Sequence, residues 1–316
     1  MMNLNSQSLI DRQLFAVCFT TSGLTLYYHI MRFGAHVSIA NNLADSVDRA
    51  TSIGCDAMQI FPGNPRGWKA SFFTEDQLAD FIFRRRRDDI HPLAIHMPYL
   101  VNLGSPVDRV AKASIVTVLE TLEKAKSVDA DFLVMHTGSH GGAGLEFGMS
   151  RLKTGLDEIL RADFGSVKLL LENTAGSAHS MGSRLEMLRD IFQSVKFDHR
   201  LGLCLDTCHA YAAGYDIANK ASLDSFLEKL DKLIGRERLG LIHANDSKNA
   251  LGSHKDRHEH IGRGEIGLEG FRNILAHPDL SNMTFILETP RPEAGDDAKN
   301  LQELRQLAPA GPTKHR

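Results

Sequence analysis

The sequence predicts a single closed parallel α/β barrel, and three observations predict it. Short, almost continuously apolar runs alternate with segments of amphipathic helical spacing between Arg32 and Leu307. Eight such runs follow one another with no linker, repeat or low-complexity stretch between them. Six of the eight end in His, Asp or Glu. Continuous apolar runs of this length suit strands buried on both faces, and strand–helix alternation in one unbroken chain suits a closed barrel.

In chain order the runs are Phe33–Ser38, Ala57–Phe61, Pro92–His96, Phe132–His136, Lys168–Glu172, Leu201–Asp206, Leu239–His243 and Thr284–Glu288. Each is five or six residues long, so periodicity alone does not separate strand from helix, but length favours strand. The segments Val107–Ser127 and Ser222–Ile234 carry apolar residues at helical spacing and fit the outer helices. A doubly wound open sheet is the alternative. It is weakened because no glycine-rich phosphate turn follows the first strand. The reading is therefore a single-domain (β/α)₈, or TIM, barrel over residues 31–307, with its functional face at the strand C-termini.

The flanks read differently. Residues 1–30 are expected to be an N-terminal extension, either non-structural or upstream of a start near Met31, with a targeting role as the other option. Leu14–Tyr28 is mildly apolar but shorter than the about 18 residues needed to span a membrane. It also lacks the flanking charge and cleavage site of a secretory signal. Residues 308–316 read as a disordered tail. Cys18, Cys55, Cys204 and Cys208 are too few and too scattered for a disulfide framework, which fits an intracellular, reducing compartment. A formal net charge of −3 rules out a global positive field, so any polyanionic partner needs a local basic surface or bound cations.

The chain holds 15 His, and several stand at strand ends. His96, His136, Glu172, Asp206, His243 and Glu288 terminate the third to eighth runs, and strand C-termini of a barrel open onto one face. Carboxylates gathered there repel one another unless cations neutralise them. His209, three residues past Asp206, can face the same pocket. Asp256 and His258, two apart on an extended loop, point the same way, with an ion-paired surface loop as the alternative reading. Cys204 and Cys208 flank the Asp206 motif at a spacing poor for a thiolate site, and are read as structural. Five His, two Asp and two Glu make a nitrogen-rich, thiol-free donor set that favours zinc, with manganese or iron possible at some positions. Two or three ions a few ångströms apart suit phosphodiester hydrolysis.

Longer motifs carry a resemblance. GAHVS (34–38), QIFPGNPRGW (59–68), IHMPYLVNLGSP (95–106), MHTGSH (135–140), LLLENTAG (169–176), LCLDTCHAYAAGYD (203–216), IHANDSK (242–248), GSHKDRHEHIGRGEIG (252–267) and ILET (286–289) together resemble the endonuclease IV family from Met31 to about Leu307. The resemblance implies a trinuclear zinc centre in which Glu172 bridges two ions. One of these would also take His96 and His136, and the other Asp206, His243 and Glu288. His209, Asp256 and His258 would hold the third. It further implies cleavage 5′ to abasic sites in double-stranded DNA by a catalytic Glu172-bridged centre, leaving a 3′-hydroxyl and a 5′-deoxyribose phosphate, with trimming of blocked 3′ ends. Arg66, Tyr99 and Leu100 match positions that enter the duplex. Gly67 departs from the larger polar residue expected beside Arg66. The run Arg84–Arg87 is read as a solvated helical face rather than a DNA patch, and a monomer is expected.

Two other functions fit parts of the pattern. A sugar isomerase or epimerase on a related metal-dependent barrel has no use for the set His209, Asp256 and His258. A non-catalytic binder of damaged DNA could keep Arg66 and Tyr99 but has no need of a full ligand set.

Overall fold

The computed structural model describes residues 16–18, 26–28, 31–68 and 73–309. Eight strands, β1 (Arg32–His36), β2 (Ala57–Ile60), β3 (Leu93–His96), β4 (Phe132–His136), β5 (Lys168–Glu172), β6 (Leu201–Asp206), β7 (Leu239–His243) and β8 (Thr284–Leu287), close into one barrel. Every neighbouring pair is parallel, including β8 with β1. The helices between them form the outer ring: α1 (Asp45–Ser52), α2 (Glu75–Arg87), α3 (Asp108–Ser127), α4 (Leu145–Ile159), α5 (Leu185–Ser194), α6 (Thr207–Ala212), α7 (Lys220–Leu233), α8 (Gly267–Ala276) and α9 (Asp296–Leu307). Four strands coincide with their apolar runs, and the others differ by one or two residues at an end. Helix α7 starts at Lys220, ahead of the expected Ser222, because the Asn219 side chain accepts from Ser222 N and caps the helix there.

Alternation along each strand divides the core in two. Outward-facing residues such as Leu133, Met135, Leu169 and Leu171 pack against the helices. Inward-facing Ala57, Ala94, Val134, Leu170, Cys204, Leu241 and Ile286 form a separate plug inside the barrel. Gly34 completes that layer on β1. A Cβ there would collide with Ala57 O and lie 2.7 Å from Ile286 Cδ1, so only glycine lets β1 lie this close. Two residues further along each strand, the inward position opens onto the C-terminal face.

The arginine run on α2 is not wholly solvated. Arg84 pairs with Asp80 at 2.8 Å, Arg86 with Asp129 at 3.1 Å and Arg87 with Asp88 at 2.7 Å, as on an ion-paired outer face. Arg85 departs from the expectation: it is buried, lies over the Phe81 ring and donates to Asp129 O at 3.0 Å. Within the expected N-terminal extension, Ala16–Cys18 pairs antiparallel with Leu26–Tyr28 in a sheet separate from the barrel. The rest of 1–30, and residues 310–316 of the tail expected to be disordered from 308, lie outside the described residues, while Ala308 of that tail packs against the core. Among the described residues no helix is long and apolar enough to cross a membrane.

Candidate metal centre

The inward side chains at the C-terminal ends of the strands are His36, Gln59, His96, His136, Glu172, Asp206, His243 and Glu288, the last standing one residue past β8. They lie directly above the apolar plug, so strand parity alone brings them together. Glu172, fully buried, is the hub. Its Oε2 lies 3.1 Å from His96 Nε2 and 3.1 Å from His136 Nε2. Its Oε1 lies 3.1 Å from His243 Nδ1 and 3.3 Å from His209 Nδ1. His243 Nδ1 also faces Glu288 Oε2 at 3.2 Å.

A second group adjoins the first. Asp206 ends β6 and caps α6, accepting from His209 N at 2.7 Å, which sets the His209 ring one turn along on the same face. His209 Nε2 lies 3.2 Å from Asp256 Oδ1, and His258 Nε2 lies 3.4 Å from the same oxygen and 3.6 Å from Asp206 Oδ2. The loop carrying Asp256 is pinned by a two-residue antiparallel ladder, Asp246–Ser247 against His258–Glu259.

The rings are held in one tautomer. His96 Nδ1 donates to Met97 O at 2.8 Å, His209 Nδ1 to Asn173 O at 3.0 Å and His258 Nδ1 to Glu288 O at 3.1 Å. A carbonyl only accepts, so each of these rings holds a proton on Nδ1 and turns Nε2 into the pocket, the nitrogen a metal ion would take. The buried Nε2 of His258 has no hydrogen-bond partner at all. Asp206 is fixed in turn by Asn245 Nδ2, which donates to its Oδ2 at 2.7 Å.

Burial works against every charge here, and mutual attraction overcomes it. Burial would raise the Glu172 carboxyl, but His136 and His243 hold it well below the usual carboxylate range. Glu288 is lowered against the same burial by His243, then by His36 and His96. Asp256 is lowered to about 2, burial being outweighed by His209 and then His258. His209 and His243 are raised well above the ordinary imidazole value and His136 is raised, in each case against burial and through the neighbouring acids. Such a pocket supplies ionised carboxylates and directed imidazole nitrogens, which is the donor chemistry of a divalent-cation cluster. Donor atoms within 4.8 Å of one another occur in the groups His96, Glu172 and His243; Glu172, Asp206, His243 and Glu288; and Asp206, His209 and His258. The residues present therefore fit bound metal. Cys208 also lies near Asp256 and His258, but its buried thiol donates to Arg257 O at 3.5 Å and is pushed up to about 12 by burial. Cys204 is likewise pushed up to about 12, chiefly by burial.

The DNA-facing candidates stand around this pocket. Tyr99 and Leu100, just past β3, are exposed, and the Tyr99 ring sits 5.6 Å from Phe61 and 6.3 Å from His136. Arg66 is exposed on the loop after β2, which meets the β3 loop where Tyr99 N donates to Pro65 O at 3.3 Å. A cavity of about 240 Å³ opens beside His136, His209 and Asp256 and reaches Tyr99, Asn102 and Thr174.

Sequence reasoning missed two kinds of residue. His36 and Gln59 belong to the ring of strand-end side chains, with Gln59 Nε2 donating to Glu288 Oε1 at 2.6 Å. Lys248, Lys255, Arg257 and Arg263 are exposed on and beside the loop that carries Asp256 and His258. They are the candidates for the local basic surface that a chain of net charge −3 requires for a polyanion. Their interleaving with His in KDRHEHIGR was the available signal.

Comparison with known proteins agrees with this geometry. Residues 47–308 match the model of the xylose isomerase-like TIM barrel family. The chain is 44% identical over 278 residues to a probable endonuclease 4 of Halothermothrix orenii, covering 87% of this chain and 99% of that protein. It is 44% identical over 282 residues to a probable endonuclease 4 of Methanosphaerula palustris, covering 88% and 99%. The crystal structure of endonuclease IV from Thermus thermophilus superposes with a TM-score of 0.78 at 37% identity, covering 87% of this chain and 98% of that one. A D-psicose 3-epimerase from Clostridium cellulolyticum superposes at 0.61 with 14% identity over 88% of this chain and 96% of that one, and so shares the fold alone. The chain belongs to the endonuclease IV family.

Proposed function

We propose that this nuclease hydrolyses the phosphodiester on the 5′ side of abasic sites in double-stranded DNA, leaving a 3′-hydroxyl and a 5′-deoxyribose phosphate, and trims blocked 3′ ends by the same reaction. The observation that carries the reading is the convergence of nine metal-type donors on one pocket, joined through the two oxygens of Glu172. In this reading His96, His136 and Glu172 would hold one zinc ion. Glu172, Asp206, His243 and Glu288 would hold a second, and His209, Asp256 and His258 a third. Bound there, the ions would supply Lewis acidity, lower the pKa of water and offset charge on the phosphate in flight.

The chain's own side chains do the rest. Glu172 is assigned the catalytic role as the residue that would hold two of the ions, its two oxygens facing separate imidazole groups. The backbone carbonyls at Met97, Asn173 and Glu288 keep the rings aimed without rearrangement during the reaction. Arg66, Tyr99 and Leu100 would fill the gap where a base is missing, which costs least at a site already lacking pairing and stacking. Lys248, Lys255, Arg257 and Arg263 meet backbone phosphates, and so position the duplex without reading its sequence. The barrel from Met31 to Leu307 works as a monomer.

The test is Glu172→Gln, which preserves shape and removes the bridging charge. Incision of abasic DNA should fall at least about 10³-fold, equal to about 4 kcal/mol of transition-state stabilisation, with abasic-DNA binding largely kept. Substantial retained cleavage refutes the assigned role.

A further inference from the structure

Gln59 is fully buried on β2, and its amide touches two of the donors described above. Its Nε2 donates to Glu288 Oε1 at 2.6 Å, and its Oε1 accepts from His243 Nε2 at 3.0 Å. The remaining amide hydrogen faces His36 Nδ1 at 3.1 Å. An amide oxygen only accepts, so His243 carries its proton on Nε2. Its Nδ1 then faces Glu172 Oε1 at 3.1 Å and Glu288 Oε2 at 3.2 Å, the side on which a cation shared with those carboxylates would bind. Turning the amide over would set its oxygen against the Glu288 carboxylate and its NH₂ against the His243 N–H. Neither contact is a hydrogen bond, so one orientation is selected. His36 blocks rotation from the third side, its ring centred 4.1 Å from that of Phe61 and its carbonyl accepting from Arg291.

We infer that Gln59 is a positioning residue that selects both the His243 tautomer and the Glu288 oxygen presented to the cation shared with Glu172 and Asp206. His96, His209 and His258 are locked by backbone carbonyls; at His243 the Gln59 side chain takes that part. The inference rests on reading this pocket as a metal centre. Partners of this kind typically change metal affinity 10- to 100-fold.

The experiment compares the full chain with Gln59→Leu and Gln59→Glu. The proton position on His243 is read by two-bond ¹⁵N–¹H correlation in the metal-free protein at alkaline pH, where the ring is neutral. Zinc per chain is counted by mass spectrometry after a graded chelator challenge of the loaded protein. In the unaltered chain His243 should show a protonated Nε2. Gln59→Leu should give a mixture of tautomers and release one zinc at about 10- to 100-fold lower chelator strength. Gln59→Glu still accepts from His243 but cannot donate to Glu288, so it should keep the tautomer and still lose that zinc. It also preserves volume, which guards against a folding defect in the Leu variant. An unaltered tautomer together with unaltered zinc retention in Gln59→Leu overturns the inference. An unaltered chain that takes up no zinc overturns the metal-centre reading instead, while the tautomer comparison still decides the role of Gln59.

Discussion

Each barrel strand places one polar side chain above the apolar plug, and six of the nine candidate donors stand in those positions. The thiols nearby follow the opposite logic. Cys55, Cys204 and Cys208 are buried, and burial pushes each up to about 12, so at pH 8 all three are neutral thiols. A Cys18→Ser variant should therefore not react with Ellman's reagent when native and should release three thiols in denaturant. Rapid native reaction of any of them contradicts the packing described. Six of the eight strand-end residues were legible in the sequence, because His, Asp or Glu closes an apolar run. His36 and Gln59 were not. Their runs were extended to Ser38 and Phe61, which hid them inside apolar stretches, whereas β1 stops at His36 and β2 at Ile60. Counting by twos from the small inward residues Gly34 and Ala57 reaches both, which is the signal the sequence did contain.

At the level of elements, strand and helix existence followed from periodicity, while their ends depended on caps and cross-strand fits that no single run reveals. Asn219 moved the start of α7, and Gly34 allowed β1 to close against β2. Replacing Gly34 by Ala puts a methyl against Ala57 O, and overpacking of this kind costs about 1–3 kcal/mol. Urea unfolding should show that loss as a lower midpoint; an unchanged midpoint would mean the strands can part without cost. The loops after β2 and β3 make a separate prediction. Tyr99→Ala should weaken binding to abasic duplex about 5- to 150-fold, since a stacking aromatic contributes about 1–3 kcal/mol. Zinc content should stay unchanged, because Tyr99 is not among the donors. Loss of zinc would reassign the residue to the centre.

For the whole molecule, charge and metal act together. A chain of net charge −3 gathers polyanions only through a local surface, and the exposed Lys248, Lys255, Arg257 and Arg263 stand beside the pocket. Buried carboxylates and imidazoles compensate one another without metal, so stripping the ions should leave a folded barrel of lower thermal midpoint. Restoring zinc should recover it, as for any ligand that binds only the native state. A chain beginning at Met31 should incise as fast as the full chain, which tests whether residues 1–30 contribute. The decisive substrate is a duplex with one tetrahydrofuran abasic analogue, which cannot undergo β-elimination. Incubated with the zinc-loaded protein, it should be cut once, 5′ to the analogue, leaving a 3′ end that a polymerase extends, and chelation should stop the reaction. An uncut duplex, a cut on the 3′ side, or full activity after complete removal of metal would contradict the assignment of this pocket.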